Sequence, residues 1–172
     1  MGTADILLDA FGRIKEGVHE VVKGLGADEL GFRSDNRANS IAWLVWHLTR
    51  VQDDHVAEVA SMDQVWVAAG WAQTFGLHLD VWDTGYGHKP QDVGMVHASA
   101  EQLSAYHDAV YDQTVTFLKT LRDDQLDRVV DRRFDPPVTL GVRLVSVIAD
   151  DLQHVGQAAF VRGLVKRGGA PA

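Results

Sequence analysis

Apolar residues recur at alternating spacings of four and three residues in this chain, and no other feature limits its fold as strongly. On an α-helix this spacing places the apolar side chains in one stripe, which must be buried against a partner. The first segment shows the spacing most clearly, with Leu7, Phe11, Ile14, Val18, Val21 and Leu25. Strand-like alternation of apolar and polar residues is not evident, so the pattern predicts an all-α protein.

Three further segments carry apolar stripes, and the first two begin at residues suited to cap a helix. Their predicted bounds are Asn39 or Ser40 to about Ala60, Ser99 to Leu121, and about Thr139 to Leu164. Four amphipathic helices of this length predict a four-helix bundle. With 172 residues, the chain is expected to form a single domain over residues 1–172.

The connection between the second and third helices is long and irregular. From Met62 to His97 the periodicity weakens, and the segment contains glycines, a proline and three tryptophans. We expect short helical pieces and a long loop that crosses one end of the bundle. Loops of this length are uncommon unless they are functional or disordered, and the tryptophans argue against disorder.

Composition excludes several classes of function. The formal net charge of −8 argues against a nucleic-acid partner and against an anionic membrane surface. Cysteine is absent, so the chain offers no disulfide, nucleophilic thiol or thiolate ligand. Neither a signal peptide nor an apolar run of the ~18 residues needed to span a membrane is evident, so a cytoplasmic location is expected. The phosphate-binding loop, the Gly-x-Ser-x-Gly elbow and the His-Glu-x-x-His motif are also absent.

Asp150 and His154 are four residues apart, which places them on one face of the last helix. That stripe also contains Val147, Ala158 and Val161, so a carboxylate and an imidazole lie where apolar surface should be buried. A buried carboxylate needs a partner, and a divalent cation is a suitable one. The alternatives are that Asp150 pairs with an arginine, Arg143 or Arg50, and that His154 is a hydrogen-bonded core residue.

His47 supplies a third candidate ligand from a partly apolar face of the second helix. Three protein ligands and an open position are typical of a catalytic metal site. Asp54, two turns away on nearly the same side, and the neighbouring His55 are candidate catalytic or supporting residues. The candidate pocket residues of the long connection are Trp66, Trp71, Trp82 and His88.

The segments NSIAWLVWHLTRVQDDH and DDLQHVGQAAFVRG resemble the DinB-like superfamily of metal-binding four-helix bundles, and nearly the whole chain takes part in the resemblance. Many members carry His-xxx-His-x-Gly-Gln in the last helix. Here His154, Gly156 and Gln157 match that motif, Asp150 replaces its first histidine, and His47 matches the histidine of the second helix. The resemblance is closest to the actinobacterial branch that includes mycothiol S-transferases.

The resemblance implies a detoxification-type transferase, in which a metal-bound thiolate of a small thiol, mycothiol, attacks an electrophile. Zinc is the expected metal, and a carboxylate ligand also tolerates nickel, manganese or iron. The expected partners are therefore a small thiol and an electrophile, and the family hints at a homodimer. Two alternatives stay open: a metal-dependent hydrolase that uses bound hydroxide, and a non-catalytic, stress-related metal-binding protein.

Overall fold

A computed structural model of the chain describes residues 2–168, and helices dominate it. Four of the helices are long: α1 (Thr3–Val22), α3 (Ile41–Ala60), α7 (Ala100–Leu118) and α8 (Leu140–Lys166). The short helices are α2 (Ala27–Gly31), α4 (Val65–Ala68), α5 (Trp71–Phe75) and α6 (Pro90–Val93). The predicted all-α, four-helix architecture is confirmed.

Three of the long helices begin at the side chains that the sequence indicates. The Ser40 hydroxyl accepts a hydrogen bond from the Trp43 amide at 3.1 Å. Ser99 accepts one from the Gln102 amide, and the Gln102 side chain accepts one in return, which forms the expected capping box. Thr139 caps α8. These contacts satisfy amide groups that the first helical turn leaves without partners.

In the bundle, α3 packs against α7 and α8, and α1 packs against the same two helices, so α1 and α3 lie diagonally opposite. The core is formed by the predicted stripes, and its largest fully buried apolar members include Phe11, Ile14, Leu44, Leu48, Leu103, Leu118 and Leu144. Within residues 2–168, no helix combines the length and the apolar character that a membrane crossing requires.

The connection from α3 to α7 runs back along the side of α3, and the expectation that it crosses one end of the bundle is wrong. Its successive hydrogen bonds reach residues ever closer to the N-terminus of α3. The Val65 amide bonds to Asp53, the Asp83 carbonyl to Arg50, and the Thr84 carbonyl to His47. A connection that contacts α3 near its end and then near its start must follow its flank.

The connection between α7 and α8 contains a hairpin that the sequence did not indicate. Strands β1 (Val129–Asp131) and β2 (Val138–Thr139) pair antiparallel, with Val129 opposite Thr139. Strands of three and two residues are too short to show alternating hydrophobicity.

Candidate metal centre

His47 on α3 faces Asp150 and His154 on α8. One ligand atom from each residue can be chosen so that all three atoms lie within 4.8 Å of one another. The two imidazole rings are 4.7 Å apart at their centroids and are inclined by 71°. This is the one group of at least three such side chains within residues 2–168. Residues that are more than 100 positions apart in the sequence thus meet because α3 and α8 pack together.

The orientation of His47 leaves one ring nitrogen free. Its Nδ1 lies against the Thr84 carbonyl, which can only accept, so Nδ1 donates and Nε2 carries the lone pair. The ring stacks on the Trp43 indole, with centroids 4.5 Å apart and planes 15° from parallel. Burial lowers the pKa of His47, so the imidazole is neutral at pH 7, as a metal ligand must be.

The pair on α8 also presents a free nitrogen and a free oxygen. His154 Nδ1 donates to the backbone carbonyl of Asp150 at 2.8 Å, which leaves Nε2 unengaged. Asp150 Oδ2 lies 3.3 Å from the same Nδ1, yet it is buried and has no hydrogen-bond partner. A buried carboxylate oxygen without a donor is costly, and a cation at this position would remove that cost.

The charges of the pair act on each other. Burial opposes the charged form of His154, but its contacts with the Asp150 carboxylate and carbonyl outweigh burial and raise its pKa. Burial likewise opposes the charged form of Asp150, and His154 outweighs it and lowers the pKa of the carboxyl. A bound cation would replace the His154 proton as the counter-charge of Asp150.

The arginines that were alternative partners of Asp150 are engaged elsewhere. Arg143 binds Asp131 at 3.0 Å, and Arg50 lies 3.4 Å from Asp53. No arginine therefore neutralises Asp150 in the part of the chain that the structure describes. Two imidazole nitrogens and one carboxylate oxygen with an open fourth position fit zinc and related divalent cations.

Sequence reasoning missed a buried polar cluster beside the centre. Asp53 is 1% exposed and accepts hydrogen bonds from the Val65 and Trp66 amides and from the Tyr106 hydroxyl, each at 2.8 Å. Burial raises the pKa of Asp53 although these donors and Arg50 oppose it. Arg50, fully buried, also lies over the Trp66 ring at 5.1 Å. The signal in the sequence was an arginine within the most apolar segment of the second helix.

The candidate catalytic residues Asp54 and His55 line a cavity of about 690 Å³ and are not members of the three-residue group. Asp54 Oδ1 accepts a hydrogen bond from the side-chain Nε2 of Gln64 at 2.6 Å. His55 Nδ1 is buried without a hydrogen-bond partner, and burial lowers its pKa. Glu58 and Trp82 line the same cavity.

The four candidate pocket residues have different surroundings. Trp82 is 61% exposed at the cavity. Trp66 is only 4% exposed and packs against other aromatic rings, so it is a core residue. Trp71 packs on the same aromatic cluster. His88 lies between Trp43 and Asp83, with hydrogen bonds to both.

Comparisons with known proteins agree with this architecture. A family model described as the DinB superfamily matches residues 10–158, which include all three candidate ligands. The fold is similar to the crystal structure of a conserved protein from Enterococcus faecalis, with a TM-score of 0.89, 30% sequence identity, and coverage of 96% of this chain and 98% of that chain. A search of curated proteins found no match. The chain therefore belongs to the DinB superfamily.

Proposed function

We propose that this protein is a metal-dependent thiol S-transferase whose cation is held by His47, Asp150 and His154. The observation that carries the proposal is the convergence of three ligand atoms: an Asp150 oxygen that accepts no hydrogen bond, and one free nitrogen from each of two imidazoles. Zinc is the proposed metal, and nickel, manganese or iron would also suit the ligands. When bound, the cation supplies a Lewis acid with an open position, which lowers the pKa of a coordinating thiol.

The residues around the centre have separate roles in this proposal. His47 and His154 provide neutral nitrogens, and Asp150 provides the one negative charge of the ligand set. Partial exposure of Asp150, whose side chain is 36% accessible, leaves a route from solvent to the centre. The chain contains no cysteine, so no thiol of its own competes for the open position or for the electrophile.

The cavity of about 690 Å³ is proposed to hold the body of the thiol or the electrophile. With a rise of 1.5 Å per residue, Asp54 lies roughly 10 Å along α3 from His47. This distance favours contacts of Asp54 and His55 with the body of a bound molecule over proton transfer at its sulfur. Binding thiol and electrophile side by side can contribute several kcal/mol to the rate, which the metal alone does not provide. Mycothiol is the proposed thiol.

Metal analysis is the first experiment. The purified protein is expected to bind about one divalent cation, and His154→Ala should remove most of it. The triple variant His47→Ala, Asp150→Ala, His154→Ala should bind none, whereas His97→Ala, which changes an exposed histidine outside the group, should bind as the parent does. Full metal content in the triple variant would overturn the site.

Thiol dependence is the second experiment. A generic electrophile is assayed with mycothiol, with glutathione and without thiol, each with and without metal. Turnover that requires both mycothiol and metal supports the transferase. Metal-dependent turnover that is indifferent to thiol would identify a hydrolase. The absence of turnover, with no thiol-induced change in the spectrum of the cobalt-substituted protein, would leave a non-catalytic binding protein.

A further inference from the structure

The segment from Asp83 to His88, called here the Asp83–His88 loop, lies directly against candidate ligand His47. Its Thr84 carbonyl accepts the hydrogen bond from His47 Nδ1. Trp43 stacks on one face of the same ring. The His47 ring is thus held at its edge by a backbone carbonyl and on one face by an indole, and its orientation depends on where the loop places that carbonyl.

Asp83 fixes the loop through its backbone and both carboxylate oxygens. Its carbonyl accepts from Arg50 Nε at 3.1 Å, and Arg50 is fully buried on α3. Its Oδ1 accepts from the Gly85 amide at 2.7 Å, and its Oδ2 lies 2.9 Å from His88 Nε2. Gly85 and His88 are therefore both bonded to the Asp83 side chain, and the Asp83 backbone is bonded to α3.

The hydrogen bonds of His88 can run in one direction only. Trp43 Nε1 can only donate, so His88 Nδ1 accepts from it at 3.0 Å. Nε2 therefore carries the proton and donates to Asp83. Two consecutive hydrogen bonds therefore run from Trp43 through His88 to Asp83. They link Trp43, which stacks on His47, to Asp83, which anchors the loop.

The loop can lie this close to α3 only with glycine at position 85. Gly85 has φ +88°, and a Cβ there would lie 2.8 Å from His47 Nδ1 and 3.0 and 3.2 Å from ring atoms of Trp46 and Trp43. Gly87 in the same loop also has positive φ, +78°, but a Cβ there would meet nothing within 4 Å. The two glycines share a backbone requirement, and only at Gly85 would an added Cβ meet the candidate ligand.

We propose that the Asp83–His88 loop is a positioning element for the metal centre, with Gly85 as the residue that lets it act. By holding the Thr84 carbonyl on Nδ1, the loop keeps the proton on that nitrogen and directs Nε2 of His47 towards Asp150 and His154. Partners of this kind fix the tautomer and the ring orientation of metal-binding histidines. The inference rests on the proposed metal site, but it concerns residues outside it.

The test compares Gly85→Ala with Gly87→Ala by zinc and cobalt titration. Loss of such a supporting contact weakens metal binding by about 10–100-fold, and this is the expected change in Kd for Gly85→Ala. Gly87→Ala should bind within about twofold of the parent, because its methyl group faces open space. Both variants carry the strain of alanine at positive φ, so the loss of stability that comes from the backbone affects both alike.

A second variant gives a readout that needs no metal. In Asp83→Asn the side-chain amide nitrogen would face the His88 Nε2 proton. The hydrogen bond from His88 would then be lost, and residue 83 would no longer be linked to Trp43 through His88. Nitrogen NMR of the metal-free parent should show His47 protonated on Nδ1, whereas Asp83→Asn should show a mixture of tautomers. Equal metal affinities of the two glycine variants, or an unchanged His47 tautomer in Asp83→Asn, would overturn the inference. A parent protein that binds no metal would overturn the proposed function instead.

Discussion

At the scale of single residues, hydrogen-bond partners decide what a buried histidine does in this protein. His107 is fully buried, and desolvation lowers its pKa to about 3. The Thr49 hydroxyl donates to the Val45 carbonyl, so His107 Nδ1 donates to Thr49 at 3.1 Å and the ring is neutral at pH 7. Burial opposes the charge of His154 too, but Asp150 raises its pKa. The first histidine is part of the core, and the second is a candidate ligand.

His107 is predicted to make the protein sensitive to acid. An unfolded histidine titrates near pH 6.5 and the folded one near pH 3, so between these values the unfolded chain binds one more proton. The contribution of His107 to the free energy of unfolding is complete above pH 6.5. Between pH 6.5 and pH 3 it falls by about 1.4 kcal/mol for each pH unit. His107→Leu should remove this contribution. Urea unfolding between pH 7.5 and 4.5 should therefore give a shallower loss in the variant, and equal slopes would contradict the assignment.

The residues of the candidate centre were predictable to the extent that their signals are local. Asp150 and His154 stand out because two polar residues four apart interrupt an apolar stripe. The contact of His47 with Thr84 was not predictable, since it joins a side chain to a backbone carbonyl 37 residues away, and any residue has such a carbonyl. The anchor from Arg50 to Asp83 likewise depends on how the connection folds onto α3.

At the scale of helices, α1 and α8 approach closely at Gly17. A Cβ at this position would lie 2.6 Å from Cγ1 of Val155, nearer than non-bonded atoms come. Val155 is β-branched and has little freedom to move aside within a helix. Gly17 therefore sets how near the two helices pack, although glycine is unfavourable within a helix.

Alanine substitutions at two helical glycines are predicted to have opposite effects. Gly17→Ala should destabilise the protein by about 1–3 kcal/mol through overpacking, reduced by up to about 1 kcal/mol of gained helix propensity. Gly156→Ala on α8, whose added methyl group would meet nothing within 4 Å, should gain about 0.5–1 kcal/mol. Chemical unfolding of the metal-free proteins measures both. A stabilised Gly17→Ala would show that the helices separate without cost.

The long helices were predictable because each combines a periodic stripe with a local start signal. The path of the connection was not, because its short helices carry no stripe of their own and its hydrogen bonds go to α3. The hairpin of β1 and β2 was missed for a related reason. The pairing of Val129 with Thr139 joins residues ten positions apart. Segments this short show no alternating hydrophobicity in the sequence that would predict the pairing.

At the scale of the whole molecule, the proposed cation would join α3 to α8 at their facing surfaces. The three ligands are brought together only in the folded chain, so the unfolded chain offers no comparable site. A ligand that binds only the folded state shifts the unfolding equilibrium by mass action. Bound metal should therefore raise the free energy of unfolding of the whole protein.

Zinc is predicted to raise the melting temperature of the metal-free protein. At a free concentration about 100 times its Kd, the gain is about 2.7 kcal/mol, which corresponds to roughly 5–10 °C for a protein of this size. Asp150→Asn, which keeps the size of the side chain and removes its charge, should lose most of the shift. Calorimetry with chelator and with added zinc measures the difference, and equal shifts in parent and variant would show that zinc binds elsewhere.

The sequence by itself determined the helical class, the four stripes that build the core, and the pair on the last helix, because each depends on the period of the α-helix. Only the tertiary structure decided which polar residues meet. It placed His47 opposite Asp150 and His154. It also paired Arg143 and Arg50 with carboxylates other than Asp150. It also laid the Asp83–His88 loop against the candidate ligand. Contacts between distant segments depend on how helices and connections pack, and local periodicity contains no information about that packing.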